Sequence, residues 1–341
     1  MMSGSKGFYS EVEIILKAKD IARELNISET TVSRALSGKG RVSQKTASLV
    51  REFAQKNNFS DPEKNPAPKT KNIGIVFPEG YGDCYRSFFL QCLVGAQEAC
   101  QRHGYDLLVT SSGNRDNPSL NRMVFKKKVD GIILARTYEN DYAIDLIRSE
   151  NIPFITIGSC NDKSVICVDQ DNYSSCKELT TILIGKGFKR LFLIGGRSEF
   201  RVSHQRLQGF IDGCETMRNL IEKYDYVMDS ESISDINASV RIALRKEADC
   251  IICMDDNICF WALNELERRN IDIPLDIKIA SFFDSEYLEH NIPPITSIIY
   301  DNKEIGDLAV ENLISIIKND STFADSKEHL NYEIALRGST H

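Results

Sequence analysis

The run Ser28-Glu29-Thr30-Thr31-Val32-Ser33-Arg34 places six polar side chains in seven positions, and their chemistry is recognition. An arginine takes guanine O6 and N7 in a two-pronged grip worth about 1–3 kcal/mol of discrimination. A threonine donates, accepts or packs on a thymine methyl, and a glutamate accepts from the cytosine amino group. Glu29, Thr30 and Arg34 are therefore the candidates for reading base edges. For Glu29 the competing role is structural, a negative charge at a helix N-terminus. Ser28, Thr31, Ser33 and Lys39 suit phosphate oxygens, contacts that position a protein on a duplex without specifying sequence.

Groups that do covalent or metal chemistry are present but not arrayed for it. The ten cysteines run from Cys84 to Cys259, and only Cys250-x-x-Cys253 is closely spaced. It sits in D-C-I-I-C-M-D, which reads as a buried strand carrying two small core side chains. No second pair or histidine cluster completes a zinc set. Gly195-Gly196 has no Lys-Ser/Thr after it, and no nucleophile elbow is present. The expectation is no enzyme, no metal and no cofactor.

Short helices must hold the polar run. Ile21, Ala22 and Leu25 recur at helical spacing. Asn26 tolerates the left-handed conformation that ends a helix. Ile27 plugs the corner, and Ser28 stands where the next helix wants an N-cap. Val32 turns to the core while Glu29, Thr30, Ser33 and Arg34 face outward. Ser43 caps a third helix with Val50 and Phe53 on one face, ending at Asn57-Asn58. Two helices joined by a three- or four-residue turn and braced by a third describe a helix-turn-helix, whose second helix enters the DNA major groove. The bland alternative is an ordinary small helical bundle.

The residues also resemble one family. D-I-A-R-E-L-N-I-S-E-T-T-V-S-R-A-L, followed by V-S-Q-K-T, is similar to the headpiece of the lactose-repressor (LacI/GalR) family, with Leu25-Asn26 where that family usually has Ala-Gly. The headpiece is taken as residues 1–59, although residues 1–16 precede the motif by more than the family usually carries. Residues 60–71, S-D-P-E-K-N-P-A-P-K-T-K, form a linker. Pro62, Pro66 and Pro68 exclude a helix interior there. Many relatives insert a leucine from a hinge helix into the minor groove at this point. No Leu lies between Phe59 and Ile73, so neither a hinge helix nor a leucine wedge is expected.

Charge divides along the chain. Residues 1–72 hold 13 Lys+Arg against 8 Asp+Glu, which is +5, and since the whole chain is −7 the remainder carries −12. A basic end on an acidic body lets phosphates attract one end only. No apolar run reaches the ~18 residues a membrane helix needs, and the N-terminus lacks a signal-peptide pattern. No membrane partner and a cytoplasmic location are therefore expected.

From Asn72 short apolar strands alternate with helices, the signature of βαβ units and a parallel sheet. Strands are expected at Ile73–Phe77, Ser164–Val168 and Asn331–Leu336 among others. Two similar series suggest a duplicated α/β body over 72–341 with a ligand cleft between the halves. The first subdomain is taken as about 72–160 plus 296–325, the second as about 161–292 plus 326–341. The family resemblance continues here in Arg206-Leu-Gln-Gly209-Phe210, in Met254-Asp255-Asp256, in Ser281-Phe282-Phe283-Asp284, and in Pro293–Ile298. It implies an all-α headpiece on a type I periplasmic-binding-protein-like body, working as a homodimer on palindromic operator DNA. By the same resemblance, Phe88 or Phe89, Asp169, Arg206, Asp256 and Phe283 contact a small-molecule effector, most simply a sugar or sugar derivative. Phe283 stands where many sugar-binding relatives have Asp, which favours stacking; otherwise Asp284 rotates in, or Phe283 is core. Phe260 and Trp261 are expected at the subunit interface. The alternative function is a soluble sugar-binding receptor with a non-functional headpiece.

Overall fold

The computed structural model describes residues 18–37, 42–56, 70–79, 86–113, 117–138, 141–160, 162, 164–318 and 328–341. Residues 1–16, Lys39 and the linker from Ser60 to Lys69, for which the sequence raised expectations, lie outside them. Two compact units divide the chain at Lys69 and Thr70.

The first unit is three helices, α1 (Ala18–Glu24), α2 (Glu29–Ser37) and α3 (Gln44–Lys56). Ile21, Ala22, Val32, Ala35 and Val50 form its buried centre, with Leu25, Ile27, Val42 and Phe53 packed around it. The turn after α1 is closed by Asn26 at φ +53°, and the Ile27 amide reaches back to the Ala22 carbonyl at 3.0 Å. This is the left-handed helix end anticipated for asparagine. Ser28 caps α2 by accepting from the Thr31 amide at 3.1 Å. Ser43 caps α3 in the same way, accepting from the Thr46 amide at 3.1 Å. Arg51 Nε donates to the Ala35 carbonyl at 3.3 Å and ties α3 to α2.

The second unit holds two six-stranded sheets. The first contains β1 (Asn72–Pro78), β2 (Asp106–Ser112), β3 (Gly131–Leu134), β4 (Phe154–Ile157), β5 (Cys167–Gln170) and the late strand β11 (Glu328–Leu330), in the order β11-β5-β4-β3-β1-β2. The second contains β6 (Arg190–Ile194), β7 (Lys223–Val227), β8 (Cys250–Cys253), β9 (Lys278–Ser281), β10 (Thr296–Tyr300) and β12 (Tyr332–Ala335), in the order β12-β10-β9-β8-β6-β7. Among the strand pairs of the described residues, only β10–β12 is antiparallel. Helices α4 (Arg86–His103), α5 (Pro118–Phe125), α6 (Tyr142–Ser149) and α12 (Asn302–Lys318) accompany the first sheet; α7 (Asn172–Gly185), α8 (Arg201–Thr216), α9 (Ile233–Arg245), α10 (Asp256–Arg268) and the short α11 (Glu286–Glu289) accompany the second. Cys250 and Cys253 are fully buried in β8, as core side chains.

The halves do not divide where the sequence suggested. Cys167–Gln170 and Glu328–Leu330 pair within the first sheet, while Thr296–Tyr300 lies beside β9 in the second. The changeovers fall at Asp171, Asp301 and Asn331 rather than near 160, 295 and 325. Periodicity locates a strand but not its neighbour, and a four-residue apolar strand fits either sheet until its partner is known. The strand expected at Ser164–Val168 also starts later. The Asp162 carboxylate accepts from the Ser164 amide at 2.8 Å, and the Val165 amide reaches the Asp162 carbonyl at 3.1 Å, a local turn that delays extended pairing.

Helix α12, entered after the second changeover, packs back on α4 at a glycine contact. A Cβ on Gly306 would overlap the Cys92 carbonyl, and one on Gly95 the Lys303 carbonyl. Both glycines lie inside helices, where alanine is intrinsically better by about 1 kcal/mol. Gly306→Ala is nevertheless expected to destabilise the body by about 1–3 kcal/mol through overpacking, read as a lowered midpoint in chemical denaturation. At the headpiece turn, Asn26→Gly should be tolerated and Asn26→Val should cost about 1 kcal/mol or more, because a branched side chain resists positive φ. Amide exchange of the headpiece measures this, and equal stability of the two variants contradicts the turn assignment.

Candidate DNA-reading helix and inter-subdomain cleft

On α2 the side chains of Glu29, Thr30, Ser33 and Arg34 are exposed, together with Ser28 at its cap, and Thr31 is half-buried. Ser28 and Thr31 share a hydroxyl–hydroxyl contact of 2.8 Å. Ser28 and Thr31 therefore each have a local task, and Glu29, Thr30, Ser33 and Arg34 form the outward surface of the helix.

In the second unit a cleft opens between the two sheets, at the carboxyl ends of their strands. Its space is about 580 Å³ including the open mouth. Five of the six expected effector residues line it: Phe88, Asp169, Arg206, Asp256 and Phe283. Phe89 does not. It is 2% exposed and packs on Phe77 in the first sheet's core, because adjacent helical residues point about 100° apart and only one of the two phenylalanines can face the cleft.

Arg206 sits on α8, 8% exposed. Its Nε donates to Asn172 Oδ1 at 2.9 Å and its Nη1 to the Met254 carbonyl at 2.7 Å, and the guanidinium lies 5.6 Å from the centre of the Phe283 ring. These ties fix a planar fork in one orientation within the wall. Phe283 follows β9, stacks on Tyr300 at 6.0 Å and meets Phe88 from the first half edge-on at 6.1 Å. Asp284 does not turn in. Its carboxylate accepts from Arg337 at 2.7 and 2.9 Å, which commits it to the C-terminal segment.

Asp169 is also largely committed. One oxygen accepts from the Gln170 amide at 2.8 Å and the other from the Ser159 amide at 2.9 Å, and Gln205 Nε2 approaches at 3.4 Å. It lines the cleft while holding the loop after β4 in place. At the start of α10 the cap is Asp255, not Asp256: its Oδ1 accepts from the Ile258 amide at 2.8 Å. Asp256 instead accepts from Ser87 Oγ, across the cleft, at 2.8 Å. Burial, and then the neighbouring Asp256 charge, push the Asp255 carboxyl up to about 6 from 3.8, against the opposing pull of Arg206 and Arg136. Asp256 is raised as well, mainly by burial.

Among the lining residues not singled out from sequence are Arg136, Ser159, Asn172 and Asp255. Each lies within two residues of a strand's end, after β3, β4, β5 and β8 respectively. Polar residues immediately following each apolar strand were the signal available.

Comparison with known proteins agrees with this geometry. Residues 17–61 match the family model of bacterial regulatory proteins, lacI family, and residues 180–340 match a periplasmic binding protein-like domain. The transcriptional regulator MalR of Staphylococcus xylosus is 29% identical over 310 residues, spanning 88% of this chain and 91% of its own. The repressor PurR of Actinobacillus pleuropneumoniae is 25% identical over 335 residues, spanning 94% and 97%. A solved structure described as a probable maltose operon transcriptional repressor from Staphylococcus aureus is 28% identical, with a TM-score of 0.72 over 80% of this chain and 99% of that one. Residues 17–61 thus carry a lacI-family headpiece match and residues 180–340 a periplasmic binding protein-like match, in that order, and the relatives similar over most of this chain are transcriptional regulators and repressors.

Proposed function

We propose that this regulator represses transcription by holding a palindromic operator as a homodimer, and that a small molecule bound in the inter-subdomain cleft sets its affinity for DNA. The observation that carries the effector half is the cleft's lining: two guanidiniums, three carboxylates and two aromatic faces converge where two sheets end. A few convergent polar groups among apolar ones are what a small-molecule site requires. Aromatic faces beside hydrogen-bonding edges suit a sugar ring, whose C–H face is apolar and whose rim is hydroxyl. A sugar or sugar derivative is therefore the first class to test. Arg206 and Phe283 are assigned to its rim and face, with Asp256 and Phe88 completing the walls; Asp169 acts by holding the Ser159 loop.

Dimerisation is supported by Leu90 and Val94, one turn apart on α4 and 61% and 40% exposed, an apolar stripe that a second copy would cover. Two-fold symmetry then requires operator half-sites about one helical turn apart. On each half-site Arg34 and Thr30 read bases, Glu29 reads a cytosine amino group, and Ser28, Thr31 and Ser33 approach phosphates.

Selection from a randomised duplex pool should yield a palindrome. Arg34→Ala should weaken binding to it about tenfold to hundredfold and relax preference at one position per half-site. Unchanged affinity and sequence preference in a mobility-shift titration would remove Arg34 from base reading. For the cleft, maltose is the first probe, since the name of one similar structure carries it. Arg206→Lys, which keeps the charge and loses the fork, should abolish a maltose-induced rise in melting temperature. A full rise in that variant rules Arg206 out as a contact.

A further inference from the structure

Phe200 is 1% exposed, yet among the described residues it belongs to the hydrophobic core of neither half. Tyr138, 7% exposed, is in the same position on the other side. They bury each other. Tyr138 follows β3 in the first half, and Phe200 stands at the N-terminus of α8 in the second. Their backbones form an antiparallel bridge and their rings lie 5.2 Å apart. Arg136, which lines the cleft, places its guanidinium 4.8 Å from the Phe200 ring centre and 5.2 Å from that of Phe89. Neither Tyr138 nor Phe200 lines the cleft itself.

The position of this contact gives it leverage. Among the described residues the chain itself passes between the halves at Asp171, Asp301 and Asn331, beside β5, β10 and β11. β3 lies two strands in from β5, and β6, which leads to Phe200, lies three strands in from β10. At about 4.8 Å per strand these are distances of roughly 10 and 14 Å. Rotation of one half about the changeovers therefore separates Tyr138 from Phe200 and exposes both rings. Lighter contacts would part with them, among them Gln205 Nε2 donating to Ser159 Oγ at 3.0 Å and Ser87 Oγ donating to Asp256 at 2.8 Å.

We propose that Tyr138 and Phe200 are positioning residues that latch the cleft shut from outside the ligand's footprint. Arg136 couples them to the ligand, because it touches Phe200 on one side and the cleft on the other. The latch preorganises the closed walls, so effector binding does not have to order them alone. This inference rests on the cleft being the effector site, but its test does not need an effector.

The test is hydrogen exchange read by mass spectrometry on the full-length protein alone. Phe200→Ala and Tyr138→Ala should each speed exchange about tenfold or more in residues 136–138, 158–160 and 200–205, with β1 and β8 unchanged. Tyr138→Phe should keep wild-type protection, because ring and backbone rather than the hydroxyl make the contact. Unchanged exchange in both alanine variants overturns the latch. So does an equal rise in β6 and β8, which would make Phe200 an ordinary core residue of its own half. A cleft that binds none of the sugars offered to it would defeat the effector reading and leave this result standing.

Discussion

The chain passes three times between the two sheets, and all three passages lie side by side. β5 ends at Gln170, β10 at Tyr300 and β11 at Leu330, and each hands the chain to the other half within two residues. Three parallel connections resist twisting and shear but permit rotation about the line they define, so the halves have essentially one soft motion. Buried polar side chains gather at the passages. Gln170 Nε2 donates to Asn302 Oδ1 at 2.7 Å, and Asn302 Nδ2 donates to Gln91 Oε1 at 3.0 Å. Asn172 Nδ2 donates to the Gln170 carbonyl at 3.2 Å, and Asn172 Oδ1 accepts from Arg206 at 2.9 Å. Side-chain amides thus run from α4 through the passages to the cleft arginine. A buried network of this kind is stable only when every member is satisfied, which makes it a specifier of geometry more than a source of stability.

Because of these passages neither half is a contiguous stretch of chain. α12 and β11 complete the first half only after most of the second has been synthesised, and the tight Gly95–Gly306 crossing joins residues more than two hundred positions apart. Loop-closure entropy is spent before that packing is gained. The two cores are therefore formed together, and what damages the α4–α12 contact reaches the cleft through Phe88, which α4 carries into it.

Local chemistry made the headpiece readable: Asn26 for positive φ, Ser28 and Ser43 for caps, and an apolar stripe at helical spacing all act within a few residues. The alternation of strands and helices was readable for the same reason. The assignment of β5, β10 and β11 to sheets was not, because it depends on partners up to 160 residues away. In the cleft, family resemblance pointed to Arg206, Asp256 and Phe283, whereas the choice between Phe88 and Phe89 needed the phase of a helix against its sheet. Arg136 was missed because a lone arginine after a strand looks like a solvated loop residue. Only the tertiary approach of Phe200 shows that its guanidinium faces aromatic rings from both halves.

The carboxylates of α10 bring charge into the same account. Asp255, raised to about 6 by burial, holds a proton in mild acid that the unfolded chain has already released. Its stabilising contribution is thus complete below its unfolded value near 3.8 and is lost as pH rises through 6. At neutral pH the wall carries Asp255 ionised at a cost, offset in part by Arg206 and Arg136. A hydroxyl-bearing ligand donating to that wall recovers some of this cost. It recovers most when the halves are closed, because Ser87, Phe88 and Arg136 all come from the opposite half. Contacts confined to one half would bind a ligand without shifting the equilibrium, however tightly they held it. On the proposed reading, an effector has to touch both walls, and its leverage on DNA binding is set by the contacts it makes with the second wall rather than by its total affinity.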